Sequence, residues 1–224
     1  MTEPIKLNLG CGAIRPAGWI NTDSSLNMLL QQVPLVGRLI PKLAGSRAYT
    51  NGNAAYMNLN GSWKRFGDGS VDVVYASHVL EHLSTASAAG FAREAFRCLK
   101  PGGGIRIVVP DLFQLCKNYV EAYGRNEPVP ADHLLWAINM HREGQYAGKL
   151  GWLHRMVLEW QGYPHQHKFM YDARTLTRLL VREGFIDARE LEYGSSGFIE
   201  DIQDLEAGDE PYLSVYLEAK KPIA

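Results

Sequence analysis

Residues 5–12 read Ile-Lys-Leu-Asn-Leu-Gly-Cys-Gly, a short strand pattern that stops at a Gly-x-Gly turn. A second strand pattern at residues 19–23 ends on a carboxylate, Asp23. Neighbouring parallel strands end at the same edge of a sheet, so Gly10 and Asp23 are expected to lie close together. Glycine lets a backbone approach a ligand and a carboxylate accepts ribose hydroxyls, so the pair favours a nucleoside site. The alternatives are a plain turn and a carboxylate that caps a helix from Ser24 onward.

Strand and helix patterns alternate through much of the remaining chain. Further strands are predicted at residues 54–59, 71–75, 105–109, 187–192 and 212–220. Helices are predicted over residues 85–99, from Leu112 to the break at 124–130, and from the cap Asp172 to Glu183. The run Lys-Pro-Gly-Gly-Gly at 100–104 is expected to end the first of these helices. This alternation predicts an α/β protein with a doubly wound sheet.

Composition and charge exclude several classes of protein. The chain has 224 residues, 46% hydrophobic and 21% charged, which is typical of a globular protein. A formal net charge of −1 provides no basic field, so no nucleic-acid partner is expected. Cys11, Cys98 and Cys116 are too scattered for a disulfide framework or a CxxC metal site. No signal peptide or transmembrane segment is recognised, and a cytoplasmic location is expected.

Three blocks of sequence carry a resemblance to a known family. They are Leu-Asn-Leu-Gly-Cys-Gly at 7–12, Asp-Val-Val-Tyr-Ala-Ser-His-Val-Leu-Glu-His-Leu at 72–83, and Arg-Glu-Ala-Phe-Arg-Cys-Leu-Lys-Pro-Gly-Gly at 93–103. In this order they resemble class I S-adenosylmethionine-dependent methyltransferases, in the small-molecule and saccharide branch often called type 11. The resemblance covers most of residues 5–111 and 170–220.

The resemblance implies a fold and a cofactor. The fold would be a Rossmann-like, doubly wound sheet of seven strands, mostly parallel with an antiparallel last strand. The cofactor would be S-adenosyl-L-methionine. Its expected binding residues are Asn8, Gly10, Cys11, Gly12, Asp23, Ser24, Asn58, Leu59, Ser77 and His78. Asn58-Leu59 stands where the family has Asp-Leu beside the adenine, and Asn8 where it often has an acid.

Methyl transfer to a hydroxyl requires a group that removes a proton, and histidine suits that task. The expected catalytic residues are His165 and His167, with His78 as the next candidate. The pair Glu81-His82 is expected only to open a helix, where a carboxylate is favourable. The His-x-His segment is also open to a structural or metal role. No metal site is predicted, because a metal needs a further ligand and Asp111 is only a guess.

The chain is expected to form a single domain over residues 1–224, with added segments at about 25–50 and 112–170. The second is expected to cover an acceptor, a small molecule or saccharide methylated at oxygen, through aromatic rings. The aromatic candidates are Trp136, Tyr146, Trp152, Trp160 and Tyr163. The first is amphipathic and is expected to form a lid or a contact within a homodimer rather than to lie on a membrane surface.

Two other classes of protein share parts of this pattern. A nicotinamide-dependent oxidoreductase normally has a third glycine opening a long helix, whereas residues 13–16 read Ala-Ile-Arg-Pro. A non-catalytic scaffold that binds S-adenosylmethionine would keep the glycines and Asp23 but would lack an acceptor cavity. Binding of S-adenosylmethionine or of a nicotinamide cofactor distinguishes a methyltransferase from the oxidoreductase. Turnover to S-adenosylhomocysteine distinguishes a methyltransferase from the scaffold.

Overall fold

A computed structural model of the chain describes residues 3–24, 54–139, 166–207 and 213–223. Within these residues seven strands form one sheet. The strands are β1 (Lys6–Leu9), β2 (Ile20–Asp23), β3 (Ala55–Tyr56), β4 (Val71–Ser77), β5 (Leu99–Pro110), β6 (Ile186–Leu191) and β7 (Ser214–Lys220). All seven predicted strands are therefore present, although β3 is only two residues long.

The sheet has the order β3-β2-β1-β4-β5-β7-β6. Neighbouring strands from β3 to β5 are parallel, and β7 is antiparallel to both β5 and β6. The predicted mostly parallel sheet with an antiparallel last strand is confirmed.

Five helices lie among the described residues. They are α1 (Thr85–Cys98), α2 (Leu112–Gly124), α3 (Pro130–Ala137), α4 (Ala173–Arg182) and α5 (Ile202–Glu206). Side-chain oxygens begin three of them: Ser84 caps α1, Asp111 caps α2 and the predicted cap Asp172 begins α4. The α4 helix ends before Gly184, whose φ of +101° suits glycine.

Alternate residues of the central strands face two hydrophobic cores. In β5, Ile105, Ile107 and Val109 belong to the first core, which α1 and α4 cover. Val108 belongs to the second core, together with residues of α5. Because side chains alternate between the two faces, both faces of the sheet are buried. The strand ends are left to carry the functional loops.

Two local expectations need correction. Residues 100–104 do more than end α1, because β5 already starts at Leu99. A Cβ on Gly103 would lie 3.0 Å from the carbonyl oxygen of Asp72, so glycine lets this stretch pass close to β4. Glu81 and His82 do not open α1 either. They lie in a separate 3-10 turn, Leu80–His82, because Ser84 caps α1 after it.

Several predicted features fall outside the described residues. These are the amphipathic segment 25–50, His165, and the aromatic residues Tyr146, Trp152, Trp160 and Tyr163. Among the helices that are described, none is long and apolar enough to cross a membrane.

Candidate active site

The order of the strands defines a crevice at one edge of the sheet. The chain leaves β1 towards β2 and β3 on one side, then returns to β4 on the other side of β1. In open α/β sheets, ligands bind outside the carboxyl ends of strands at such a reversal. Here those ends are Gly10, which follows β1, and Ser77, which closes β4.

The two glycines after β1 have different surroundings. Both have a positive φ, +72° at Gly10 and +49° at Gly12. A Cβ on Gly10 would collide with Cγ2 of Val79, so this glycine lets the turn pack against the residues after β4. A Cβ on Gly12 would meet no described atom within 4 Å. No described residue therefore crowds Gly12 on the side where a Cβ would lie.

Asp23 lies beside the glycine turn, as predicted. Its Oδ2 accepts a hydrogen bond from the backbone N–H of Gly12 at 3.1 Å. The N–H of Cys11 also donates to the carbonyl oxygen of Thr22, at 2.9 Å. These bonds join the turn after β1 to the end of β2, so the carboxylate and the glycine turn form one edge.

Asn8 on β1 and Cys11 in the turn that follows are both buried. The Asn8 side-chain amide donates to the carbonyl oxygen of Ile14 and to Oδ1 of Asn21, both at 2.9 Å. A buried carboxylate would lack these donor hydrogens, which explains an amide at this position. Burial, and secondarily the charge of Asp23, raises the pKa of the Cys11 thiol to about 11, so it stays neutral near pH 7.

The remaining expected cofactor residues lie after β2 and β3. Ser24 is exposed and directly follows Asp23. Asn58 is exposed, and its Oδ1 accepts from the N–H of Asn60 at 3.0 Å, while Leu59 is buried in the first core. The exposed amide is thus available at the sheet edge, whereas Leu59 is a core residue.

His78 follows β4 in a left-handed conformation, with φ of +53°. This conformation is uncommon for a residue other than glycine and is frequent at functional sites. Its backbone N–H donates to the carbonyl oxygen of Val108 at 2.9 Å, which fixes it to β5. Its Nδ1 lies 3.2 Å from Oε1 of Glu81. The carboxylate is buried while the imidazole is 40% exposed, so a buried acid orients an accessible ring.

His167 packs on the 3-10 turn that holds Glu81 and His82. The His82 and His167 ring centroids are 5.0 Å apart. The N–H groups of Lys168 and Phe169 both donate to the carbonyl oxygen of Glu81, at 2.7 and 3.3 Å. From the sequence, no catalytic role was expected for Glu81-His82, but the structure brings this pair together with His167 in one cluster.

Two nearby groups are less suited to chemistry. Asp111, the guessed metal ligand, instead caps α2 by accepting from the N–H of Phe113 at 2.9 Å. Burial, and secondarily the Glu81 carboxylate, raises the pKa of Tyr171 to about 12. Its hydroxyl therefore stays protonated near pH 7 and is a poor base.

Comparison with known proteins agrees with this geometry. Residues 7–107 match the family described as "Methyltransferase domain". A SAM-dependent methyltransferase from Methanosarcina mazei has a similar structure, with TM-score 0.53, 17% identity, and coverage of 100% of this chain and 95% of that one. A SAM-dependent methyltransferase from Archaeoglobus fulgidus has a TM-score of 0.51 and 16% identity, with coverage of 97% of this chain and 86% of that one. The chain spans about half of the matched DszA and CurJ carbon methyltransferase structures, 48% and 49%. A search of curated protein sequences found no match.

Residues 7–107 therefore match a methyltransferase domain, and the seven-stranded sheet has the Rossmann-like fold of the similar structures. These matches indicate S-adenosylmethionine as the cofactor of this domain.

Proposed function

We propose that this chain transfers a methyl group from S-adenosylmethionine to an oxygen atom of a small-molecule or saccharide acceptor. The observation that supports oxygen most directly is the His78–Glu81 pair at the end of β4. A hydroxyl must lose its proton during methyl transfer, and an oriented imidazole can accept it.

The cofactor would occupy the edge formed by the glycine turn and Asp23. The methionine portion would lie at Gly12, where no described atom crowds the backbone. The ribose would lie at the Asp23 carboxylate beside it. When bound, the sulfonium supplies the electrophilic methyl group. The other residues proposed to line this site are Asn8, Gly10, Cys11, Ser24, Asn58, Ser77 and His78; Leu59, which is buried in the first core, is not included.

His78 is the proton acceptor that the geometry supports best. With a proton on Nδ1 donated to Glu81, Nε2 is the unprotonated nitrogen that would take the proton of the acceptor hydroxyl. The buried carboxylate also stabilises the imidazolium that forms, as a triad aspartate does. Such a base contributes about 10²–10⁴-fold to a rate. The sequence-based proposal gives the same task to His165 and His167.

Helices α2 and α3 supply part of the proposed cover over the acceptor. They occupy residues 112–137, which belong to the segment added after β5. Trp136 on α3 is 70% exposed and is suited to stack on a sugar ring.

The test measures S-adenosylhomocysteine released with a panel of hydroxylated acceptors, including free and nucleotide-linked sugars. We expect turnover, with His78→Gln lowering kcat about 10²–10⁴-fold. Arg182→Gln is the control, because Arg182 is exposed in the last turn of α4, outside the proposed site. Cofactor binding without turnover on any hydroxyl acceptor would contradict the proposal and favour the scaffold alternative.

A further inference from the structure

We propose that Glu81, His82 and His167 form a binding site for a divalent transition-metal ion of the Zn²⁺ type. A carboxylate oxygen of Glu81 and one ring nitrogen of each histidine lie within 4.8 Å of one another. A Zn²⁺ ion with bonds of about 2.0–2.2 Å needs its ligands roughly 3.3–3.5 Å apart, so small side-chain rotations close the site. The sequence predicted no metal because it identified no further ligand for the His-x-His segment, and Glu81 and His82 lie 85 or more positions before His167.

The burial of Glu81 is an independent observation that favours a cation at this position. Its side chain is only 1% exposed, and Oε2 has no hydrogen-bond partner among the described residues. Its other oxygen, Oε1, faces Nδ1 of His78. A buried carboxylate with one partner is unfavourable, and a bound cation would compensate it.

The second ring nitrogen of His82 is held as in known metal sites. Nδ1 of His82 lies 3.3 Å from the carbonyl oxygen of Gln166. A proton on Nδ1 donated to that oxygen leaves Nε2 unprotonated, which is the state that binds a metal. The neighbouring N–H groups of Lys168 and Phe169 bind the carbonyl oxygen of Glu81, so His167 is held close to the turn.

The donor set selects the kind of metal. Two imidazoles and one carboxylate suit Zn²⁺, Co²⁺ and related ions, whereas Mg²⁺ and Ca²⁺ prefer oxygen ligands. Three protein ligands leave one position open, as in catalytic zinc sites. If the proposed function holds, the acceptor oxygen would bind the metal at this open position. The metal would lower the pKa of the acceptor hydroxyl, and His78 would remove its proton.

The test titrates untagged, chelator-treated protein with Co²⁺ and with Zn²⁺, followed by visible absorption and calorimetry. The background is Cys116→Ser, because Cys116 is an exposed free thiol that could bind either ion. We expect one ion for each chain at this site, weak binding of Mg²⁺, and a melting temperature that rises with Zn²⁺. Glu81→Gln, His82→Gln and His167→Gln should each weaken the binding of Co²⁺ by at least about 10–100-fold.

His133→Gln serves as the control variant, since His133 lies on α3 outside the cluster. Circular dichroism checks that each variant folds, and if Glu81→Gln does not, the partly exposed His82 provides the second test. Absence of Co²⁺ binding, or equal binding by all four variants, would overturn the metal site.

The two proposals fail in different ways. If the protein binds no Co²⁺ and still methylates an alcohol in the presence of a chelator, the proposed function stands and the proposed metal site is wrong. Tight binding of Co²⁺ that depends on Glu81, without turnover on any hydroxyl acceptor, would keep the metal and remove O-methylation.

Discussion

Gly12 and Gly18 allow a matched comparison at the level of single residues. Both have a positive φ, +49° and +78°, and a Cβ on either meets no described atom within 4 Å. Alanine at either position should therefore cost about 1 kcal/mol of stability. Gly12 lies at the proposed cofactor edge, whereas Gly18 precedes β2 at the opposite end of that strand.

We expect Gly12→Ala to weaken S-adenosylmethionine binding at least about tenfold and Gly18→Ala to leave it unchanged. Calorimetry gives the affinity, and thermal unfolding confirms that both variants are destabilised to a similar extent. Equal affinities for the two variants would mean that Gly12 is only a turn residue.

Asp23→Asn separates the charge of this residue from its role in the turn. The amide oxygen of asparagine can still accept from the N–H of Gly12, so the turn should persist. Loss of charge-assisted bonds to ribose hydroxyls should cost about 1.5–3 kcal/mol, roughly 10–150-fold in affinity. Calorimetry with S-adenosylmethionine and S-adenosylhomocysteine measures this effect. Affinities within about twofold of wild type would exclude the ribose assignment.

Helix α1 is tied to the loop before β4 through Glu94. Its Oε2 accepts from the N–H of Trp63 at 2.7 Å and from the Arg97 guanidinium at 2.9 Å. The bond from Arg97 lowers the pKa of Glu94, and the Trp63 N–H adds to this against the effect of burial. A glutamate whose pKa is lower in the folded state than in the unfolded state stabilises the fold. This stability is complete above the unfolded-state pKa of about 4.3 and is lost as the pH falls through the folded-state pKa.

We therefore expect Glu94→Gln to lower the free energy of unfolding by about 1–2 kcal/mol at pH 7. The difference from wild type should shrink at acidic pH, as the pH falls through the lowered pKa of Glu94. Denaturant unfolding at pH 7 and at acidic pH measures it, with the exposed Glu200→Gln as control. A difference that is independent of pH would show that the charge of Glu94 does not stabilise the helix.

At the scale of the whole molecule, a buried ion cluster joins α5 and β7 to the centre of the sheet. Arg106 on β5 is fully buried, and its guanidinium donates to Oε1 of Glu206 at 2.6 Å and to Oε1 of Glu218 at 3.2 Å. Glu206 also accepts from the N–H of Gly194 at 2.7 Å. Removal of the arginine would leave two carboxylates buried without their cation.

Arg106→Met should lower the free energy of unfolding by about 3–5 kcal/mol. Arg189→Met is the control, because Arg189 is 56% exposed and lies 3.9 Å from the same Glu218, so it should change stability by at most about 1 kcal/mol. Denaturant unfolding measures both. Adding Glu206→Gln to Arg106→Met should recover part of the loss, and a cost equal to that of the control would contradict a structural role for the cluster.

The sequence alone was sufficient for the strands, the class of sheet and the position of Asp23 beside the glycine turn that holds Gly10. Each depends on local patterns: alternating or continuous apolar runs mark strands, glycines mark turns, and parallel strands end at a common edge. The start of β5 was not predictable, because Pro and Gly indicate a break. Its pairing with β4 and β7 overrides that local preference.

Only the tertiary structure decided which polar side chains meet. His82 and His167 were both singled out in the sequence, yet nothing local places their rings 5.0 Å apart. Arg106 stands in a β-branched run that predicts a buried strand, and its two carboxylate partners come from α5 and β7. Periodicity records which face of an element is buried, whereas contacts between distant side chains depend on how the elements pack. The methyltransferase fold was therefore accessible from the sequence, and the Glu81–His82–His167 cluster was not.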